Sequence, residues 1–400
     1  MKKQTIALHT PYVRPDVYGS LAVPIYNLAV PIYNNVSFEF KDAQTMSDAF
    51  CNRIKAPDYA RIANPTVTQF EQRVKALTEA EHVTAFNSGM AAISTALLAV
   101  VAQGKNIVTS RHLFGNTLAL ISGTLLRLGI KPRLRDLTNL EVVEAAIDEQ
   151  TACVYLETVT NPQLEVADLK GIADIAHRKG VPVIVDSTVI PFTETNLKAL
   201  GIDIEVVSST KYISGGGTSL GGLIIDYGTF PQINKLVKYD LLINLGVYMT
   251  PQTAYMQTLG LETLDVRYQR QAASALWLAE ALRGLPAIID VNYIGLKDNP
   301  YHDLAVKQFG ATAGAMLTID LQSKEACFGL LNRLQLIHRA TNLFDSRTLA
   351  IHPASTIFGL FPERQLQQMD VRQTTIRLSI GLEAPEDLLQ DIEQALSKIN

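Results

Sequence analysis

A chain of 400 residues is too long for one ordinary compact domain, and its 47% hydrophobic content supplies core for two units, or for one large and one small. Only 18% of residues are charged, which argues against a disordered or coiled-coil chain. The net charge of −4, with no basic stripe, excludes nucleic acid as an expected partner.

Cys51, Cys153 and Cys327 are too widely spaced for a CxxC pair and odd in number, so a reducing, cytoplasmic compartment is expected. The N-terminus lacks the apolar core of a signal peptide, and no run of about 18 apolar residues predicts a membrane span.

Residues 1–60 read as an irregular arm, with prolines at Pro11, Pro15, Pro24, Pro31 and Pro57 and no helical period. Within it Leu21–Asn27 (LAVPIYN) is repeated at once as Leu28–Asn34. The unit is far shorter than a structural repeat, so it reads as a local duplication whose seven extra residues must be looped out or absorbed. From Thr66 a helical period begins, with Val67, Phe70, Val74 and Leu77 on one face.

Strands and helices then alternate. Val83–Phe86, Asn106–Thr109, Cys153–Glu157, Val181–Asp186, Ile204–Ser208 and Leu223–Asp226 read as strands. Met90–Val101, Thr117–Leu128 and Leu169–Lys179 read as helices. Continuous apolar strands between helices predict a mostly parallel sheet covered on both faces. Near Thr250 the rhythm changes to one or two long helices over Thr253–Leu285. Strands at Ala315–Leu321 and Thr375–Ile380 follow, with helices at Lys324–Leu334 and Glu386–Ile399. The expected organisation is α/β: an arm (1–60), a large domain with a mostly parallel sheet (61–250) and a smaller C-terminal α+β domain (251–400).

In open α/β sheets ligands bind beyond the carboxyl ends of strands, so polar residues at strand ends are the first candidates. Lys211 follows an apolar strand and precedes a glycine-rich run, Gly215-Gly216-Gly217 through Gly221-Gly222. A lysine so placed either binds an anion or forms an imine; the plain alternative is a surface lysine after a strand. The run fits neither the P-loop nor the dinucleotide pattern. Asp186 ends a strand one strand earlier. It is either a loop cap or a carboxylate that keeps a pyridinium nitrogen protonated. Asn87-Ser88-Gly89 joins a strand to a helix and offers free N–H groups to a phosphate; the alternative is a plain N-cap serine. Phosphate seat, ring-nitrogen partner and imine lysine occur in that order. No metal site is expected.

The chain resembles the Cys/Met-metabolism family of pyridoxal 5′-phosphate (PLP) enzymes, from about residue 20 to the C-terminus. The resemblance rests on Tyr59-Ala60-Arg61-Ile62-Ala63-Asn64-Pro65-Thr66, Ser88-Gly89-Met90, Glu157 through Asn161-Pro162, and Asp186-Ser187-Thr188. It rests also on Ser208-Ser209-Thr210-Lys211-Tyr212, His352-Pro353-Ala354-Ser355 and Ile376-Arg377-Leu378-Ser379-Ile380-Gly381. It implies PLP fold type I and a homotetramer built as a dimer of dimers, with active sites shared across the dimer and the N-terminal arm on a neighbouring subunit.

By position the resemblance also implies roles. Lys211 binds PLP and moves protons, Asp186 pairs with the ring nitrogen, and Asn161 lies near the phenolic oxygen. Ser88, Gly89, Met90, Ser208 and Thr210 hold phosphate. Tyr59 and Arg61 reach the neighbour's cofactor, Tyr59 serving in substrate binding and proton transfer as well. Arg377 and Asn342 bind substrate.

Some positions depart from the family pattern. Phe114 stands where the family usually has a tyrosine stacked on the cofactor. Asn116 replaces the cysteine of methionine γ-lyases, and Gly215-Gly216-Gly217 lacks the usual histidine. The Gly217–Gly222 run and Asn342 are more similar to the sulfhydrylase branch. The expected reaction is γ-replacement on an O-acylhomoserine, acetyl first, with sulfide or a thiol, giving homocysteine or methionine. The alternatives are γ-elimination as in methionine γ-lyase, cystathionine synthase or lyase chemistry, and a non-catalytic scaffold on the same fold.

Overall fold

The computed structural model describes residues 31–398 other than Asn52 and Lys55. Its larger sheet has β1 (His82–Phe86), β2 (Asn106–Ser110), β3 (Lys131–Arg135), β4 (Thr151–Glu157), β5 (Val183–Asp186), β6 (Ile204–Val207) and β7 (Gly222–Asp226), in the order β1-β7-β6-β5-β4-β2-β3. Strands β6, β5, β4, β2 and β3 run parallel. Strand β7 is antiparallel to both its neighbours, which the expectation of a mostly parallel sheet accommodates.

The apolar strands bury both faces because alternate residues feed two different cores. Val154, Val183 and Val185 point into one, with the helices Pro65–Thr78 and Leu169–Arg178. Tyr155, Ile184 and Ile204 point into the other, with the helix Gly89–Val100. The first core continues without a break into a second sheet through Leu317, Ile319, Ile376 and Leu378. That sheet holds β8 (Asp290–Asn292), β9 (Met316–Asp320), β10 (His338–Arg339), β11 (Leu349–Ile351) and β12 (Thr375–Ser379), ordered β10-β11-β12-β9-β8. The helices Pro251–Glu262 and Leu264–Leu282 lie between the two sheets in sequence.

Several elements differ from the sequence reading. The arm contains a helix, Ala43–Phe50, whose N-cap Asp42 accepts from the Thr45 N–H. Only Ala49 of it is buried, although Ala43, Met46, Ala49 and Phe50 follow a helical spacing that the reading of an irregular arm passed over. Helix Leu140–Ala146, the helical stretch 231–245 and helix His302–Phe309 were likewise not placed by the sequence reading. The helix expected over Thr117–Leu128 starts at Gly115 and widens to π geometry over Leu120–Leu125. Strand β3 (KPRLR) is an exposed edge, and β8, β10 and β11 are two or three residues long.

Of the duplicated heptads, residues 21–30 lie outside the described residues. The end of the second copy docks on the next motif. Thr66 Oγ1 donates to Pro31 O (2.7 Å) and accepts from Tyr33 N–H (3.0 Å), and Asn64 Nδ2 donates to Tyr33 O (2.8 Å).

The residue after Lys211 anchors the lysine to the second sheet. Tyr212 stacks on Phe344 at 4.0 Å and 6°, meets Tyr268 edge-on at 5.2 Å, and its hydroxyl accepts from Ala315 N–H at 3.1 Å. Truncation of the fully buried Phe344 removes the stacking partner. Phe344→Ala is expected to lower stability by about 3–5 kcal/mol, read as a fall in the urea midpoint. An unchanged midpoint would show that the ring is not packed as described.

Candidate active site

Parallel strands β4, β5 and β6 bring their carboxyl ends to one edge. Glu157 and Asp186 are register neighbours there, and Asp186 faces Val206 of β6, from which the chain runs on to Lys211. Beyond this edge lies a cavity of about 1250 Å³. Ser88, Gly89, Met90, Phe114, Asn161, Asp186, Ser208, Thr210, Lys211 and Arg377 all line it. Asn342 lines an adjoining recess and accepts from Lys211 Nζ at 2.8 Å.

Tyr59 and Arg61 are not brought to this cavity. Tyr59 is 39% exposed, the Arg61 guanidinium lies 5.4 Å from its ring centroid, and Arg61 donates to Ile243 O at 2.6 Å. His352 also lies off the cavity, its ring bonded to Ser355 Oγ and Gln373 O.

The phosphate seat is built by local rules. Ser88 is extended (φ −162°) and caps the helix through Oγ, which accepts from Ala91 N–H at 3.1 Å. The first intrahelical bond runs from Ala92 N–H to Ser88 O, so the N–H groups of Gly89 and Met90 lie ahead of it. A Cβ on Gly89 would sit 2.7 Å from Ser208 Cβ, and one on Gly222 would sit 2.1 Å from Ser88 O. Helix start, Ser208 loop and β7 therefore close to this distance only with glycine at both positions.

The two acids differ in their support. Burial pushes the Asp186 carboxyl up, but hydrogen bonds from Thr188 (N–H to Oδ1, 2.9 Å) and the Tyr155 hydroxyl (3.5 Å to Oδ2), together with the Lys211 charge, pull it back. Burial and the Asp186 charge push Glu157 well above the carboxylate range, and its Oε1 accepts from Phe114 N–H at 2.7 Å. Two adjacent buried carboxylates do not both ionise, and Asp186 is the one with more support for charge.

Burial and the nearby Arg377 push the Lys211 amine down to about 8, against the pull of Asp186. Arg377 is 2% exposed, and its close partners are neutral: NH1 donates to Asn161 Oδ1 (3.1 Å) and NH2 to Asn342 O (3.4 Å). Its Nε has no partner among the described residues, and no carboxylate there pairs with it. A buried guanidinium without a counter-charge suits a carboxylate ligand.

These features fit PLP: an amine of lowered basicity for its aldehyde, an ionised acid for its ring nitrogen, and free helix N–H groups with hydroxyls for its phosphate. Sequence reasoning named Thr188 only as part of a motif, without its bond to Asp186, and missed Tyr155, which also holds Asp186, and the wall formed by Leu360, Phe361, Pro362 and Gln365. Tyr155 was findable, since it shares a strand face with Glu157.

Comparisons with known proteins agree. The model of the Cys/Met metabolism PLP-dependent enzyme family matches residues 16–397. The chain is 36% identical to the L-methionine gamma-lyase of Fusobacterium nucleatum subsp. nucleatum, over 100% of both chains. The crystal structure of a putative O-acetylhomoserine (thiol)-lyase from Campylobacter jejuni, which carries a pyridoxyl-lysine phosphate, superposes with a TM-score of 0.93 at 32% identity over 100% of both chains. O-acetylhomoserine sulfhydrylase of Wolinella succinogenes is 42% identical, with a TM-score of 0.75, covering 83% of this chain and 96% of that one. PLP is the cofactor, and this chain belongs to the Cys/Met metabolism family of PLP-dependent enzymes.

Proposed function

We propose that the enzyme catalyses γ-replacement on an O-acyl-L-homoserine, most simply O-acetyl, with sulfide or a thiol as the incoming nucleophile. The observation that carries this reading is Phe114 on the cavity wall. Among the described residues of its own chain the titratable side chains lining the cavity are Glu157, Asp186, Lys211 and Arg377, so the phenol that Phe114 lacks could come only from Tyr59 of a neighbouring subunit. A thiolate leaving from methionine belongs to an acid of pKa about 8.5 or higher and calls for a proton donor; an acyloxy group leaves as a carboxylate, of pKa about 4, and needs none. Similarity to the Wolinella sulfhydrylase supports the same choice. The second reading, γ-elimination from methionine, is favoured by the similarity to the Fusobacterium lyase.

Bound at this edge, PLP supplies an electron sink for bond breaking at the substrate's α-carbon. Lys211 binds the cofactor and then moves the proton at Cα, which its lowered basicity suits. Asp186 keeps the proton on the ring nitrogen, steadied by Thr188 and Tyr155. The Gly89 and Met90 N–H groups, with Ser88, Ser208 and Thr210, hold the phosphate. Phe114 would cover the ring and Asn161 would meet its phenolic oxygen, while Arg377, oriented by Asn161 and Asn342, would grip the substrate carboxylate. Tyr59 and Arg61 serve the cavity of a neighbouring subunit in a homotetramer, in keeping with Tyr59 being partly exposed and off its own cavity. The proposed arrangement is a subunit-bridging arm, a PLP-binding domain to about residue 250 and a C-terminal domain. A cytoplasmic setting is in keeping with the free Cys51, Cys153 and Cys327. Among the described residues no helix is long and apolar enough to cross a membrane.

Incubation with O-acetylhomoserine plus sulfide is expected to yield homocysteine, measured by chromatography. Methionine alone is expected to release little 2-oxobutyrate; strong release would overturn the choice. Phe114→Tyr is expected to raise elimination from methionine relative to replacement. Arg377→Gln is expected to raise KM about tenfold or more, the cost of one charge-assisted contact.

The unprotonated Lys211 amine is the form that captures an aldehyde, so PLP uptake by the apoenzyme should quicken as pH rises through about 8. Removing the Arg377 charge makes the ammonium form easier to keep. In Arg377→Gln the uptake midpoint should therefore move to higher pH, read by stopped-flow absorbance.

A further inference from the structure

The loop that carries Phe114 begins with a histidine that neither the cofactor nor the substrate uses. His112 is 2% exposed and packed between two acids. Its Nδ1 is 2.5 Å from Glu165 Oε2 and its Nε2 is 2.9 Å from Asp370 Oδ2. Arg111 Nε donates to the same Nε2 at 3.2 Å, and its NH2 is 3.3 Å from Asp370 Oδ2. The ring, the guanidinium and the two carboxylates thus form one connected cluster. The other ionisable groups facing this cluster are Asp136, which feels both Arg111 and His112, and Tyr301, which bonds Glu165.

The cluster joins three pieces of the cavity wall. His112 is two residues from Phe114. Glu165 closes the loop that holds Asn161: its N–H donates to Thr160 Oγ1 at 2.9 Å, and its carbonyl accepts from Thr160 N–H at 3.1 Å. Asp370 follows the short helix Glu363–Gln368, whose N-terminal lead-in Leu360–Pro362 lines the cavity. Asp370 is held at φ 53°, a left-handed conformation that side chains other than glycine seldom adopt, although Asp tolerates it better than most. A second tie, Gln163 Nε2 to Met369 O at 2.6 Å, runs between the same loop and the same cap.

We propose that His112 is a positioning residue: bridging Glu165 and Asp370, its ring latches the cap, residues 360–370, onto the loops that carry Phe114 and Asn161, and so holds the substrate end of the cavity closed. This rests on reading the cavity as the active site, but not on which γ-reaction runs there.

The test uses the holoenzyme and the variants H112Q and D370N, each checked for bound PLP by absorbance. Hydrogen exchange of the 363–371 amides is compared between wild type and variants at a single pH. In H112Q protection of the cap should fall well below that of the wild type, because the glutamine amide cannot bridge Glu165 and Asp370 as the ring does. KM should rise about tenfold in H112Q, as one charge-assisted bond is worth, and by more than kcat falls. D370N should reproduce both effects.

Cap exchange in H112Q that matches the wild type, or a loss of kcat with KM unchanged, overturns the proposal. If H112Q fails to fold, D370N decides alone, and wild-type cap protection in it overturns the proposal. A wild type that turns over no amino-acid substrate would instead defeat the reading of the cavity, while cap exchange would still report on the latch.

Discussion

The site depends on desolvated charge held at the ends of parallel strands. Lys211 and Arg377 are both buried in the cavity that Asp186 lines, and its other acid, Glu157, is pushed well above the carboxylate range. Two basic side chains with one well-supported carboxylate leave the chain's own charge there unbalanced. Burial first, and the Arg377 charge second, lower the basicity of the Lys211 amine, and the close partners of Arg377 are neutral. A ligand carrying a phosphate and a carboxylate restores the balance, so the protein binds its cofactor and substrate with charge that it cannot satisfy alone.

The rest of the fold serves this arrangement. Two cores grip the sheet from both faces and fix the strand ends. Tyr212, bound between Phe344 and Tyr268 and bonded to Ala315, ties the position of Lys211 to the second sheet. Arg377 reaches the cavity from β12 of that sheet. The amine and the guanidinium are thus set by two sheets that share one core, and their spacing is a property of packing rather than of any loop.

Asp186 and Glu157 show how the same side-chain chemistry is split by surroundings. They are register neighbours at the ends of adjacent strands. Thr188, Tyr155 and Lys211 stabilise charge on the first, whereas the second faces a like charge. Glu157 in turn accepts from the backbone N–H of Phe114, so the ring that lines the cavity is positioned by an acid whose surroundings disfavour its charge.

Much of the site was legible in the sequence because it follows local rules. An apolar strand followed by Lys211, one ending at Asp186, and a serine–glycine step into a helix each state their geometry over a few residues. The burial of Arg377 could be read from Ile376, Leu378 and Ile380 around it. Other features were not legible, because their partners lie far apart in the chain. The Lys211–Asn342 bond spans 131 positions and the His112–Asp370 contact 258.

The strands β10 and β11 of the second sheet, two and three residues long, are too short to imprint a period. The sequence by itself determined which residues end strands, which turn needs glycine and which family the chain belongs to, because these depend on neighbours in the chain. Which of two acids is charged, how basic the lysine is and what closes the cavity were decided only by tertiary structure, because each depends on burial and charge brought together by folding.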